Sequence, residues 1–130
     1  MEEEFMSNQY TAEEIKEILL DEGYRSVTIV KEDIAVLKVN GNNYLIALYE
    51  NGDIQLVYVV AMPMLSLEKV NDWNANHRLG CLYVDEANKL SFSITLPALG
   101  ERLSKARIVK GVSSMLNAVR TIDIFEFVED

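Results

Sequence analysis

The 130-residue chain has one cysteine, one histidine, one tryptophan and only two prolines. Each scarcity excludes something. A lone Cys81 can form no intramolecular disulfide, which fits a reducing compartment. A structural zinc site takes about four Cys, His or carboxylate ligands, and one Cys with one His falls short of the usual sets. No metal and no cofactor is expected. Basic residues are also few: twelve against twenty-one acidic ones leave a net charge of -9. Such a chain repels a phosphate backbone, so nucleic acid is not an expected partner. The cations that could cluster, Arg102, Lys105, Arg107 and Lys110, make at most a local patch on a solvated helix face. No phosphate-binding glycine loop occurs, and the turn "DEANK" has too few oxygen ligands for a calcium loop. The longest apolar run, Leu56 to Leu65 with Pro63 included, is about half of what spans a bilayer. The acidic start "MEEEFMSNQY" lacks the basic and apolar regions of a signal peptide. A cytoplasmic protein without membrane contact is the expectation.

What is present suits an ordinary globular chain. Hydrophobic residues make up 49% and charged ones 25%, and a chain of this length fits one domain. That domain covers residues 1–130, with 1–10 expected as a flexible acidic tail. "TAEEIKEILLDEGY" carries Thr11 and Glu14 at capping-box spacing, with Ala12, Ile15, Ile18 and Leu19 on one face. Gly23 supplies a left-handed stop, after which Tyr24 can fold back on Leu19. From Arg25 the period shortens to that of strands, broken by turns at "KED", "NGNN" and "ENGD". The predicted meander is Arg25–Val30, Ile34–Val39, Tyr44–Tyr49 and Ile54–Val60. In the last strand Ile54, Leu56, Tyr58 and Val60 share one face, and Val57, Val59 and Ala61 share the other. A strand apolar on both faces is either buried twice or part of an interface, which marks Val57 and Val59 as candidate interaction residues.

Pro63 stops that strand and Ser66 can cap a helix over "SLEKVNDWNANHRLG". At 100° per residue, Leu67, Val70, Trp73, Asn74 and His77 fall within one 120° face. Trp73 and His77, four apart, can pack on each other. Asn74 on the core side must find backbone partners, which makes it a candidate latch. His77 and Arg78 fall in the last turn, where cations favour the negative helix end, and Gly80 lets the chain turn. An alternative use of the same residues is a small polar pocket built by Asn74, His77 and Arg78.

"GCLYVDEANKLSFSITLP" reads as a hairpin turning at Glu86–Asn88, its second strand pointing Leu90, Phe92, Ile94 and Leu96 inward and keeping Ser91, Ser93 and Thr95 wet. A closing helix spans about Ser104 to Phe125, with Ile108, Val112, Met115, Leu116, Val119 and Ile122 as its core stripe; Gly111 weakens it by roughly 1 kcal/mol relative to Ala. The order α-β-β-β-(β)-α-β-β-α, without strand–helix–strand repeats, predicts an α+β fold with helices packed on one antiparallel sheet.

The stretch "SLEKVNDWNANHRLGCLYVDEANKLSFSITL" resembles the signature region of the YbjN family, bacterial proteins described as sensory transduction regulators. Trp73, Asn74, Arg78, Tyr83 and Asp85 carry the match, and the resemblance runs over roughly residues 11 to 125. It implies a fold like that of type III secretion chaperones, which commonly dimerise and bind extended segments of other proteins. It supplies no catalytic residues. The chain departs from the family after Leu96, where "PALGERLSKAR" replaces a short glycine-containing loop.

Three functions compete on these residues. A non-enzymatic, homodimeric protein-interaction or regulatory module, binding a protein partner in a chaperone-like way, follows from the doubly apolar strand and the resemblance. A small-ligand sensor would use the polar end of the Trp73 helix. A hydrolase would rest on Cys81 with His77 alone, against which Cys81 reads as a small buried residue.

Overall fold

In a computed structural model, residues 7–60, 66–86, 89–122 and 127 are described. Nine elements follow in the order α1 (Ala12–Asp21), β1 (Ser26–Lys31), β2 (Ile34–Val39), β3 (Asn42–Leu48), β4 (Ile54–Val60), α2 (Leu67–Asn76), β5 (Cys81–Val84), β6 (Leu90–Leu96) and α3 (Lys105–Arg120). The strands form one six-stranded antiparallel sheet ordered β1-β2-β3-β4-β6-β5. The α+β architecture with helices on a single sheet is therefore observed as expected. The closing helix expected to reach Phe125 ends at Arg120, where Thr121 caps it, and the stop at Pro63, the hairpin tip at 87–88 and residues 123–125 lie outside the described residues.

Local signals explain the boundaries. Glu14 N–H donates to Thr11 Oγ1 at 3.1 Å and Thr11 N–H to Glu14 Oε1 at 2.9 Å, the reciprocal bonds of a capping box. At the other end of α1, Gly23 takes φ +107° and Tyr24 N–H reaches back to the Leu19 carbonyl at 3.1 Å, the Schellman closure. Asn40 and Gly41, at φ +52° and +82°, turn β2 into β3 with the positive dihedrals that a tight hairpin demands. Ser66 and Ser104 each accept the N–H three residues on, starting α2 and α3.

All three helices cover the same face of the sheet, where Leu37, Ile46, Ile54, Leu56, Phe92 and Ile94 meet Ile15 and Leu19 of α1, Val70 and Trp73 of α2, and Ile108, Val112 and Met115 of α3 in one core. Period-2 alternation forces the intervening side chains onto the opposite face, which no helix covers. Gly111 has a role there that helix propensity alone misjudges. A Cβ at this position would lie 2.6 Å from Leu96 Cδ1 and 2.8 Å from its Cδ2, so the missing side chain is what lets α3 seat against β6.

The loop that departs from the family pattern is tied down at several points. Ala98 N–H donates to Asp53 Oδ1 at 2.8 Å, and the Tyr10 hydroxyl donates to the Leu103 carbonyl. Arg102 lies 4.0 Å over the Tyr10 ring, donates to Ser7 O at 3.0 Å and pairs with Glu14 Oε2 at 2.8 Å. Gln9 Nε2 also bonds Leu48 O and Tyr10 is buried, so residues 7–10 of the stretch expected as a tail are tied to the domain. Partial burial works to raise the Glu14 pKa but is outweighed by the Thr11 N–H and the Arg102 guanidinium, which hold it below its ordinary value of 4.5.

Two outcomes follow for stability. Gly111→Ala should destabilise by about 1 kcal/mol in chemical denaturation, the overpacking against Leu96 exceeding the propensity gain; a more stable variant would contradict this packing. Because the folded-state pKa of Glu14 is depressed, its contribution is fully present above 4.5 and is lost as pH falls through the lower folded value. Urea titrations should therefore show Glu14→Gln less stable than wild type at neutral pH, with the gap closing in strong acid.

Candidate functional site

The polar end of α2 is built around an aromatic stack. Trp73 packs edge-on against Phe92 with centroids 5.6 Å apart, and the His77 ring lies parallel to the indole at 3.8 Å. The expected Trp73–His77 contact is present, although His77 is not on the helix. It is the C-cap, with φ −129° and ψ 138°, and it is exposed. Helical phase placed Leu67 and His77 in the core, and both are outside it: Leu67 is 64% exposed. The 120° face was drawn over a helix longer than the one that forms, and its first turn overhangs the core. The last turn likewise contains no basic residue, since His77 and Arg78 lie beyond Asn76. His77 Nδ1 sits 2.7 Å from the Trp73 carbonyl, which can only accept, so Nδ1 carries the proton and His77 closes the helix through its side chain.

Asn74 is committed to β5. Its Nδ2 donates to the Leu82 carbonyl and its Oδ1 accepts the Leu82 N–H, both at 2.8 Å. β5 is an edge strand, and the Asn74 amide satisfies the two backbone groups that Leu82 turns away from β6, acting as a one-residue neighbouring strand. The polar pocket of Asn74, His77 and Arg78 is therefore not assembled. A cavity of about 410 Å³ does border this region, but it is lined by Lys69, Asp72, Trp73, Asn76, His77 and Phe127. Arg78 is exposed and makes no bond among the described residues. Gly80, at φ +80°, passes the Phe92 ring so closely that a Cβ would lie 2.3 Å from it.

Cys81 is exposed, contrary to its reading as a buried residue. In β5 the core position belongs to Leu82, so alternation turns Cys81 to the helix-free face, opposite Ser93. Trp73 and the His77 stacked on it pack against Phe92 on the other face, so the two groups of the hydrolase reading are separated by the sheet. Among the described residues no group of three or more His, Cys, Asp or Glu could hold a metal ion.

The helix-free face is the second candidate. Strand registers align Thr28, Val36, Leu45, Val57, Ser93 and Cys81 in one row across all six strands. A parallel row holds Ile34, Ala47, Gln55 and Thr95, and the other flank holds Lys38 and Asn43, then Val59, Ser91 and Tyr83. Lys31, paired with Ile34 across a register irregularity, and Lys38 are the charged residues in these rows, and the Asp85 carboxylate meets Ser91 on the same face. Val57 is half-buried and Val59 45% exposed, so β4 is apolar on both faces but covered on one. Ile34, Val36, Leu45 and Ala47 extend the patch and were not singled out from sequence; only the pairing register gathers them. The face is not uniformly wet along β6, because Ser91 is buried and donates to Asp85 Oδ2 at 3.3 Å.

In comparison with known families, the model of the YbjN family, described as "Putative bacterial sensory transduction regulator", aligns with residues 11–122. No curated protein matches the chain. Among the described residues no helix is long and apolar enough to cross a membrane.

Truncation separates the roles of the two α2 residues. Trp73→Ala should cost about 3–5 kcal/mol, as for a large buried aromatic, and a near-zero shift in denaturation midpoint would contradict its place in the core. Asn74→Ala should cost about 1–3 kcal/mol by stranding both Leu82 groups, and hydrogen exchange at the Leu82 amide should accelerate, a local signature that Trp73→Ala need not share.

Proposed function

The chain belongs to the YbjN family, and from that premise we propose that it is a non-enzymatic regulatory protein-interaction module that pairs with a second copy through its helix-free sheet face. One observation carries the reading: a helix-free sheet surface whose central row joins Val36, Leu45 and Val57 and holds no charge, in a chain with twenty-one acidic residues. Patches of this kind mark interaction sites when their surroundings are polar. Six strands of four to seven residues, about 4.8 Å apart with about 3.3 Å per residue, span roughly 590 Å² in projection. Two such faces stacked would remove about 1,200 Å² or more, within the size class of specific interfaces. A second copy brings an equally uncharged central row, whereas a partner placing carboxylates there would bury them against valine and leucine, with Lys31 and Lys38 only in the rows beside it.

Chaperone-like binding of a protein partner belongs to the same proposal. The β1 edge, exposed along its length apart from Val27, is the place where an extended partner segment could add a strand, because the β5 edge is occupied at Leu82 by Asn74. A small-ligand sensor at the polar end of α2 has one observation in its favour, the cavity beside the Trp73–His77 stack. Its informative variant is His77→Ala, since Asn74 is engaged with the backbone.

Size-exclusion chromatography with light scattering tests the pairing. A dimer mass is expected at concentrations of about 100 μM, and Leu45→Glu or Val57→Glu should give a folded monomer, because Leu45 is already 37% exposed and Val57 half-exposed. A wild-type monomer at that concentration would overturn the proposal.

A further inference from the structure

A second cavity lies on the helix-covered side, between the C-terminal end of α3 and the β2–β3 hairpin, with a volume of about 400 Å³. That is within the range of small-molecule sites, roughly 300–1,000 Å³. Its apolar wall includes Leu116 and Val119, and its aromatic part is the Tyr44–Tyr58 pair, stacked with centroids 5.3 Å apart and 28° between planes. Asn40, Asn42 and Arg120 are in its lining, and the last two have capacity to spare. The Tyr58 hydroxyl donates to Asn42 Oδ1 across 3.4 Å, at the long limit of a hydrogen bond, and Asn42 Nδ2 makes no bond among the described residues. Arg120 commits one terminal nitrogen to Asn117 Oδ1 at 2.8 Å and keeps its other N–H donors.

The charge in this cavity is unlike that of the chain around it. Among the described residues no carboxylate lines it, and Arg120 is the one ion. The nearby carbonyls of α3 are occupied: Thr121 Oγ1 and Thr121 N–H both donate to Ala118 O, and Ile122 N–H to Val119 O. The helix end therefore leaves the guanidinium available instead of consuming it as a cap. We propose that this cavity binds a small aromatic monocarboxylate, its ring packed against the Tyr44–Tyr58 pair and Leu116, its carboxylate paired with Arg120, and the Asn42 amide donating to it. An aromatic ring gains from tyrosine contact beyond its area burial, and a planar carboxylate matches the guanidinium fork. A cation would meet Arg120 unfavourably. Burial, and then the neighbouring Tyr44, raise the Tyr58 pKa, so its phenol stays a neutral donor at working pH. The site is independent of the sheet-face pairing, since it lies on the opposite side of the sheet.

The test uses the full chain and 4-hydroxyphenylacetate as probe, followed by isothermal titration and by NMR shifts of the tyrosine ring protons. Saturable binding is expected, weakened about tenfold or more, the equivalent of one charge-assisted pair, in Arg120→Gln and for the neutral 4-hydroxyphenylacetamide. Arg120 is exposed, so that variant should fold, as circular dichroism can verify. Leu116→Trp, which fills the cavity, should abolish binding while Leu45→Glu leaves it unchanged. Absence of saturable binding up to about 10 mM, or equal binding by wild type and Arg120→Gln, would overturn the proposal. So would retained binding in a folded Leu116→Trp.

Discussion

A six-stranded sheet has two faces, and the three helices of this chain cover one of them. Much of the rest depends on that asymmetry. Alternation along each strand sends half the side chains to each face, so a chain that shields one face must either make the other polar or give it a partner. β6 takes the first course, with Ser91, Ser93 and Thr95 opposite its core residues. β2, β3 and β4 do not, and leave Ile34, Val36, Leu45, Ala47, Val57 and Val59 on that face. The helix-covered face shows how tightly cover must be seated: α3 approaches β6 at Gly111 and the chain passes Phe92 at Gly80, two places where any side chain would collide.

The same sheet has two edges, and they are treated differently. At β5 the Asn74 amide copies a neighbouring strand for one residue and blocks addition there, while the aromatic stack of Trp73 on Phe92 fixes α2 so that the amide is held in reach. At β1 protection is weaker: a register irregularity between Ile29 and Lys31 and a terminal lysine, devices that discourage pairing without preventing it. One edge is closed by a specific side chain, and the other is left accessible to a sufficiently complementary strand.

Much of this was legible in the sequence because it is local. The Thr11–Glu14 box, the Gly23 stop, the Asn40–Gly41 turn and the Ser66 and Ser104 caps each depend on residues within a few positions of one another, and each formed. Asn74 was legible as a latch because a core-facing amide needs partners, although nothing local named Leu82. The errors came from extending a local rule past its element. A 100° phase continued to His77, one residue beyond the helix, assigned it to the core. The alternation of "CLYV" was not applied to Cys81, though it would have turned that residue outward opposite Leu82. The open face and the Tyr44–Tyr58 cavity were beyond reach for another reason: their residues come together only through the register between strands, which pairing sets and composition does not.

Charge completes the argument about the open face. A net charge of -9 keeps copies of this chain apart at long range, yet the central outward row of Thr28, Val36, Leu45, Val57, Ser93 and Cys81 holds no charge. Stacked sheets sit about 10 Å apart, and at physiological salt exposed charges are screened over about 8 Å. Repulsion between two copies would therefore come mainly from the rims and the helical sides, where water and salt weaken it. The apolar rows in between would carry almost none. The acidic surface would thus oppose the proposed pairing of the face without a helix among the described residues only at its margins.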